Sequence, residues 1–94
     1  MIVNVYGLFD CKTMFYHAPF VAHGNGDAVR VITSLVMGGQ HPCSKFPEDF
    51  TLFCIGSFDD SKGGLVGFKE NELVCSCLDI VNDIRNKSKE IENG

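Results

Sequence analysis

The run Phe50-Thr51-Leu52-Phe53-Cys54-Ile55-Gly56-Ser57-Phe58 constrains the fold more than any other segment of the chain. It is dense in aromatic and apolar residues that suit a pleated, half-buried surface, so it reads as the strongest strand. A strand leaves rows of backbone donors and acceptors on both edges, and the chain must supply partners for them. Ile2 to Phe9, rich in Val, Ile, Tyr and Phe, alternates and places Val3, Val5 and Phe9 on one face. After the polar interruption Asp10-Cys11-Lys12-Thr13, strand character resumes over Met14 to Phe20 until Pro19 disturbs the ladder, which predicts a β-hairpin. Downstream, Asp59-Asp60-Ser61-Lys62-Gly63-Gly64 is a polar, glycine-ended connection into Leu65 to Lys69, a second hairpin.

Two segments change period. His23-Gly24-Asn25-Gly26 is a turn cluster, and Asn25 or Asp27 can cap a following helix. Ala28, Val31, Ile32, Leu35 and Val36 form its apolar stripe, Arg30 and Ser34 lie nearer its polar side, and Gly38-Gly39 stops it. Gln40 to Asp49 reads as a loop with Pro42 and Pro47, Phe46 as an apolar anchor, and one helical turn at Pro47-Glu48-Asp49. From Glu70 to Ile91 the period is helical through Leu73, Cys77, Ile80 and Ile84, with Val74 and Val81 beside them. Its early part, Leu73 to Cys77, also fits an extended strand, so the secure helix begins near Leu78, with a frayed tail over 87–94.

The predicted fold is α+β in the order β-β-α-β-β-α: one domain over residues 1–94, an antiparallel sheet of two hairpins covered on one side by helices. Val3, Val5, Phe9, Ile32, Leu35, Leu52 and Ile55 or its neighbours are the expected core. With 94 residues the chain supports one core and buries only about 60–65% of its unfolded surface. Pairing would bury one more apolar face, so a homodimer is expected.

Charge and motif content narrow the functions. A net charge of −4 argues against coating nucleic acid by charge alone, so any DNA contact must be local. No apolar run approaches the roughly 20 residues of a membrane span, and Met1-Ile2-Val3-Asn4-Val5 lacks the basic start of a signal peptide, so a cytosolic protein without membrane partners is expected. Five irregularly spaced cysteines, Cys11, Cys43, Cys54, Cys75 and Cys77, fit reduced thiols better than a disulfide framework. Cys75-Ser76-Cys77 is half of a soft-metal pattern without its second pair, so no metal or other cofactor is expected; His41-Pro42-Cys43 would join it only if folding brought them together. Ser57, Ser61, His17, His23 and His41 form no nucleophile elbow or His-x-x-x-His pair, and Gly24-Asn25-Gly26 lacks the third glycine of a nucleotide loop. An enzyme is not expected.

The order of short motifs adds a resemblance. Tyr6-Gly7-Leu8-Phe9-Asp10 with Lys12, then Pro19-Phe20, Ala22-His23, Gly26-Asp27-Ala28 with Arg30, Pro47-Glu48-Asp49-Phe50-Thr51-Leu52-Phe53 and Ile55-Gly56-Ser57-Phe58-Asp59 follow one another. Over roughly residues 1 to 65 this series resembles the small non-structural protein of the gokushoviruses, single-stranded DNA phages of the Microviridae. Phe50 and Phe53 stand where that pattern carries tyrosines, keeping the rings and losing two hydroxyls. The resemblance implies an early, non-capsid role in genome replication in the bacterial host cytoplasm, at the switch to single-stranded synthesis, through single-stranded DNA or the replication machinery.

If single-stranded DNA is the partner, bases would stack on sheet aromatics while a few cations hold phosphates. Tyr6 lies opposite Val3 and Val5, and Phe53 opposite Leu52 and Cys54, so these two are the candidate stacking residues on an uncovered face. Lys12, Arg30 and Lys45 are the candidate phosphate contacts. Arg30 has a competing role, pairing with Asp10 to brace the first hairpin. The other class of function is an interaction protein without DNA affinity that grips a protein through its exposed aromatic surface.

Overall fold

The computed structural model describes the backbone of residues 1–93 and the side chains of residues 1–88. Strands β1 (Ile2–Asp10), β2 (Phe15–Tyr16) and β3 (Phe20–Ala22) precede helix α1 (Asn25–Gly38), the short helix α2 (Pro42–Lys45) and a 3-10 turn at Pro47–Asp49. Strands β4 (Phe50–Asp59) and β5 (Gly64–Ser76) then lead into helix α3 (Cys77–Asn93). All pairings are antiparallel. One edge of β1 is shared by β2, opposite Phe9 and Asp10, and β3, opposite Asn4 to Tyr6; the other edge pairs with β4, which pairs with β5.

The predicted α+β arrangement of two hairpins with intervening and terminal helices is the observed one. Several boundaries move. Pro19, which has no N–H to give a ladder, interrupts the second arm of the first hairpin, and pairing resumes at Phe20. Residues 70–76 are strand, not helix, because Leu73 and Cys75 are claimed by Phe53 and Leu52 of β4. The helix begins one residue later, where the Ser76 hydroxyl accepts the Asp79 amide at 3.1 Å. Neither Asn25 nor Asp27 caps α1: its N-cap is Gly24, and the Asn25 carboxamide accepts the Tyr6 hydroxyl instead. At the other end Gly39, at φ 73°, closes α1 in the left-handed conformation glycine adopts without penalty. The helix α3 runs to Asn93; the expected frayed tail over 87–94 falls partly outside the described residues.

The helices lie on one face of the sheet. There Tyr6, Leu8, Phe50, Leu52 and Cys54 from β1 and β4 meet Ala28 and Ile32 of α1, Cys43 of α2, and Cys77 and Ile80 of α3. Burying a large apolar side chain such as Ile32 or Leu52 contributes about 1.5–3 kcal/mol. Val3 and Val5 are buried as expected, but on the opposite face; Phe9 and Ile55 share that face and are only half-buried. Leu35, expected in the core, is 36% exposed, and Phe46, expected as an anchor, is 53% exposed. The buried side of α1 is rotated toward Ala28, Val29, Ile32 and Val36, and the residue of this connection that joins the core is Cys43.

The sheet changes register around Ile55 of β4, and again between Leu52 and Phe53, where Val74 of β5 has no register partner. Val5 pairs with Gly56 while the adjacent Tyr6 pairs with Cys54, so Ile55 is an extra residue, a β-bulge. On β5 the same place is wider: Cys54 pairs with Glu72 and Gly56 with Gly67, leaving Phe68 to Asn71 without register partners. Gly56 lies so close to the Val66 carbonyl that a Cβ there would collide with backbone oxygen. Backbone cannot swing aside as a flexible side chain can. Gly56→Ala is therefore expected to destabilise the fold by about 1–3 kcal/mol or more, read as a lower urea midpoint.

The first turn carries the opposite case. Met14 is the one non-glycine residue at positive φ, 65°, among those described, and is 68% exposed. Its amide donates to the Asp10 carbonyl at 2.8 Å, and the Asp10 carboxylate accepts the Lys12 amide at 2.9 Å, so the turn geometry is fixed by Asp10. Met14→Gly removes the left-handed strain of roughly 1–2 kcal/mol at the cost of a more flexible unfolded chain. The expected result is an unchanged or raised thermal midpoint, whereas Met14→Val lowers it.

Candidate functional site

Among the described residues, no helix covers the second face of the sheet. Phe9 of β1, Tyr16 of β2 and Phe53 of β4 meet there: ring centroids are 4.9 Å apart for Phe9 and Tyr16, 6.4 Å for Phe9 and Phe53, and 6.0 Å for Tyr16 and Phe53. The rings meet tilted or edge-on, an arrangement favoured by the aromatic quadrupole. Gly7 makes this possible. A Cβ at Gly7 would stand 3.0 Å from the Tyr16 ring and 3.3 Å from Ile55, so Tyr16 lies against bare backbone of β1. The Tyr16 hydroxyl accepts a hydrogen bond from Asn71 Nδ2 of β5 at 2.9 Å, joining the two edges of the sheet across this face. Tyr16 remains 41% exposed.

Beside the rings lies an apolar depression of about 360 Å³ walled by Val5, Pro19, Phe58 and Leu65. It continues into a second of about 230 Å³ reaching Ile55 and Gly67. Lys69, two residues before Asn71 on β5, is exposed.

The residues picked from sequence do not gather into one site. Phe53 lies on the open face, half-buried. Tyr6 does not: its ring is 0% exposed under the helices, stacked with Phe20 at 5.7 Å. Its hydroxyl donates to Asn25 Oδ1 at 2.8 Å and accepts from Asn4 Nδ2 at 3.2 Å, while burial pushes its ionisation upward. No base can stack on that ring. Lys12 is exposed in the turn after β1, beyond Phe9, and Lys45 ends α2 in the helical layer. Arg30 lines a groove of about 590 Å³ between α1 and α3 with Ser34, Asp83 and Lys87; Asp83 and Lys87 already pair at 3.3 Å. The Arg30–Asp10 brace does not form, because Asp10 faces His17 Nε2 at 3.9 Å instead.

Tyr16 and Phe9 complete the aromatic group and were missed. The available signal is Gly7, since a glycine inside a strand marks a close approach of something to the backbone.

His17, His41 and Cys43 meet in a separate cluster around Phe50. His17 and His41 sit 5.1 Å apart against Phe50, and His41 Nδ1 accepts the Cys43 amide at 3.0 Å. Burial, and then His17, hold the His41 imidazole below its ordinary value. Cys43 and Cys77 are both fully buried in the core, and all five cysteines are free thiols. Among the described residues no group of three His, Cys, Asp or Glu side chains is placed to hold a metal ion.

The fold and this face define a two-layer α+β domain with helices on one side of its sheet and an aromatic group on the other. The chain belongs to the family described as Phage ORF5 protein, whose model matches residues 3–80, and it is a phage protein. No curated protein and no solved structure matches it. Among the described residues no helix is long and apolar enough to cross a membrane.

Burial raises the Cys77 thiol from 9.0 to about 12, with the neighbouring Cys43 and Cys75 adding to the shift. Between those values the folded chain keeps a proton that the unfolded chain gives up, so stability falls as pH rises above 9 toward about 12. The slope from this group is on the order of 1.4 kcal/mol per pH unit at most. In urea titrations from pH 8 to 10.5, Cys77→Ala is expected to be less stable at pH 8 and to show a shallower alkaline decline than the wild-type chain.

Proposed function

We propose that this phage protein acts by binding and not by chemistry, taking single-stranded DNA on the helix-free face of its sheet. In this reading it serves early genome replication in the bacterial host cytoplasm as a gokushovirus-type non-structural protein. The observation that carries the proposal is the half-open aromatic group of Phe9, Tyr16 and Phe53, with exposed Lys12 in the turn that follows β1. Stacking on aromatic rings tolerates any base and contributes about 1–3 kcal/mol per base, so two rings supply useful affinity without a strongly basic surface. The net charge of −4 then limits binding to this local patch. A homodimer, expected from the domain's size, belongs to the same proposal and is read by sedimentation.

One observation favours a second reading, a protein partner. The apolar depression walled by Val5, Pro19, Phe58 and Leu65 continues the aromatic surface and suits an apolar side chain better than a phosphate.

Salt separates the two. Anisotropy of a labelled oligothymidylate, titrated at low and moderate salt, is expected to show affinity that falls with salt and drops at least tenfold in Tyr16→Ala/Phe53→Ala, with far-UV spectra unchanged. Tyr6→Phe, which alters only the core, should bind as the wild type does. Absence of binding at every salt concentration would reject the single-strand reading and leave the protein partner.

A further inference from the structure

We infer that Asn71 is a positioning residue for the aromatic face, holding the Tyr16 ring against Gly7 through the Tyr16 hydroxyl. The inference rests on the single-strand reading only for its ligand; the restraint itself belongs to the free protein.

Three observations meet at this residue. Asn71 sits in the stretch Phe68 to Asn71, where β5 leaves the ladder of β4, so no neighbouring-strand register fixes its place. Asparagine is a poor strand former, and its side chain is exposed, so neither propensity nor burial accounts for it there. Its carboxamide nevertheless donates to the Tyr16 hydroxyl at 2.9 Å, from the far edge of the sheet. At its other end Tyr16 belongs to β2, a two-residue strand that offers little backbone restraint of its own. A Tyr16 ring without its distal bond would be confined on one side by Gly7, Phe9 and Phe53 and free to swing toward solvent. The bond fixes the place of the Tyr16 hydroxyl, and with it the swing of the ring about χ1, before any base arrives, and a base then stacks with less cost of ordering the ring.

The same geometry explains why the hydroxyl matters on a ring whose face does the stacking. Phenylalanine at position 16 would keep the π-face and lose the tether. Phe9 and Phe53, wedged against neighbours, have no such requirement.

The test is a double-mutant cycle with Asn71→Ala, Tyr16→Phe and the combined variant, each checked for an unchanged far-UV spectrum. In the free proteins, the Hα–Hβ couplings of residue 16 report how tightly its χ1 is held. Both single variants are expected to average over χ1 rotamers more than wild type, and the combined variant no more than either. In the oligothymidylate titration each single variant is expected to bind roughly three- to tenfold more weakly, and the combined variant no more weakly than the singles, as for one shared bond. Losses that multiply in the combined variant, or an Asn71→Ala ring and affinity indistinguishable from wild type while Tyr16→Ala binds weakly, would overturn the positioning role. If the wild-type protein binds no oligonucleotide, the single-strand reading fails, and the ring dynamics alone decide whether Asn71 holds Tyr16.

Discussion

The sheet depends on one close approach, Gly56 of β4 against the Val66 carbonyl of β5. It lies at the bulge created by Ile55, where two residues of β4 advance for one of β1. Such a bulge bends its strand and increases local twist. The side of β4 that carries Phe53 and Ile55 thereby stays in line with Val5 and Val3 through Gly56 and Phe58, while Cys54, Leu52 and Phe50 keep to the helices. Both faces of β1 and β4 can then be apolar with only one covered. The helical layer buries one set, and the bent sheet partly shelters the other.

That two-sidedness explains what could be read in advance. The strand of Phe50 to Phe58, the helix ending at Gly38 and Gly39, and the α+β order were legible because each rests on local composition and on glycine. Alternation within one strand says which side chains share a face, and it separated Tyr6 from Val3 and Val5 correctly. It cannot say which face of one strand meets which face of the next. Tyr6 and Phe53 looked equivalent, yet the register Tyr6 to Cys54 sends Tyr6 to the helices and leaves Phe53 outside. The segment Leu73 to Cys77 was ambiguous for a related reason. Leu73, Cys75 and Cys77 alternate, Leu73, Cys77 and Ile80 recur at helical steps, and only pairing with β4 chooses between them.

The polar side chains show a similar division. Asn25 looked like a helix cap, but the buried Tyr6 hydroxyl needs a partner more than an exposed helix end does. Asn71 had no apparent assignment and is the residue that reaches Tyr16. In both cases an asparagine carboxamide meets a tyrosine hydroxyl, once in the core and once on the open face. The family membership over residues 3–80 takes in both pairs and both faces of the sheet.

The strand β5 forms the outer edge of the sheet for thirteen residues, with no further strand among those described. An edge of that length is a template onto which another chain can add, and a phage protein is made in a crowded host cell. Leu65 and Val66 near one end and Leu73 near the other would favour such addition. Between them, Lys69-Glu70-Asn71-Glu72 interrupts the apolar sequence with three charged residues, and its first three residues leave the ladder of β4. Charged, irregular edge segments discourage edge-to-edge growth, so this stretch acts as a gatekeeper against aggregation.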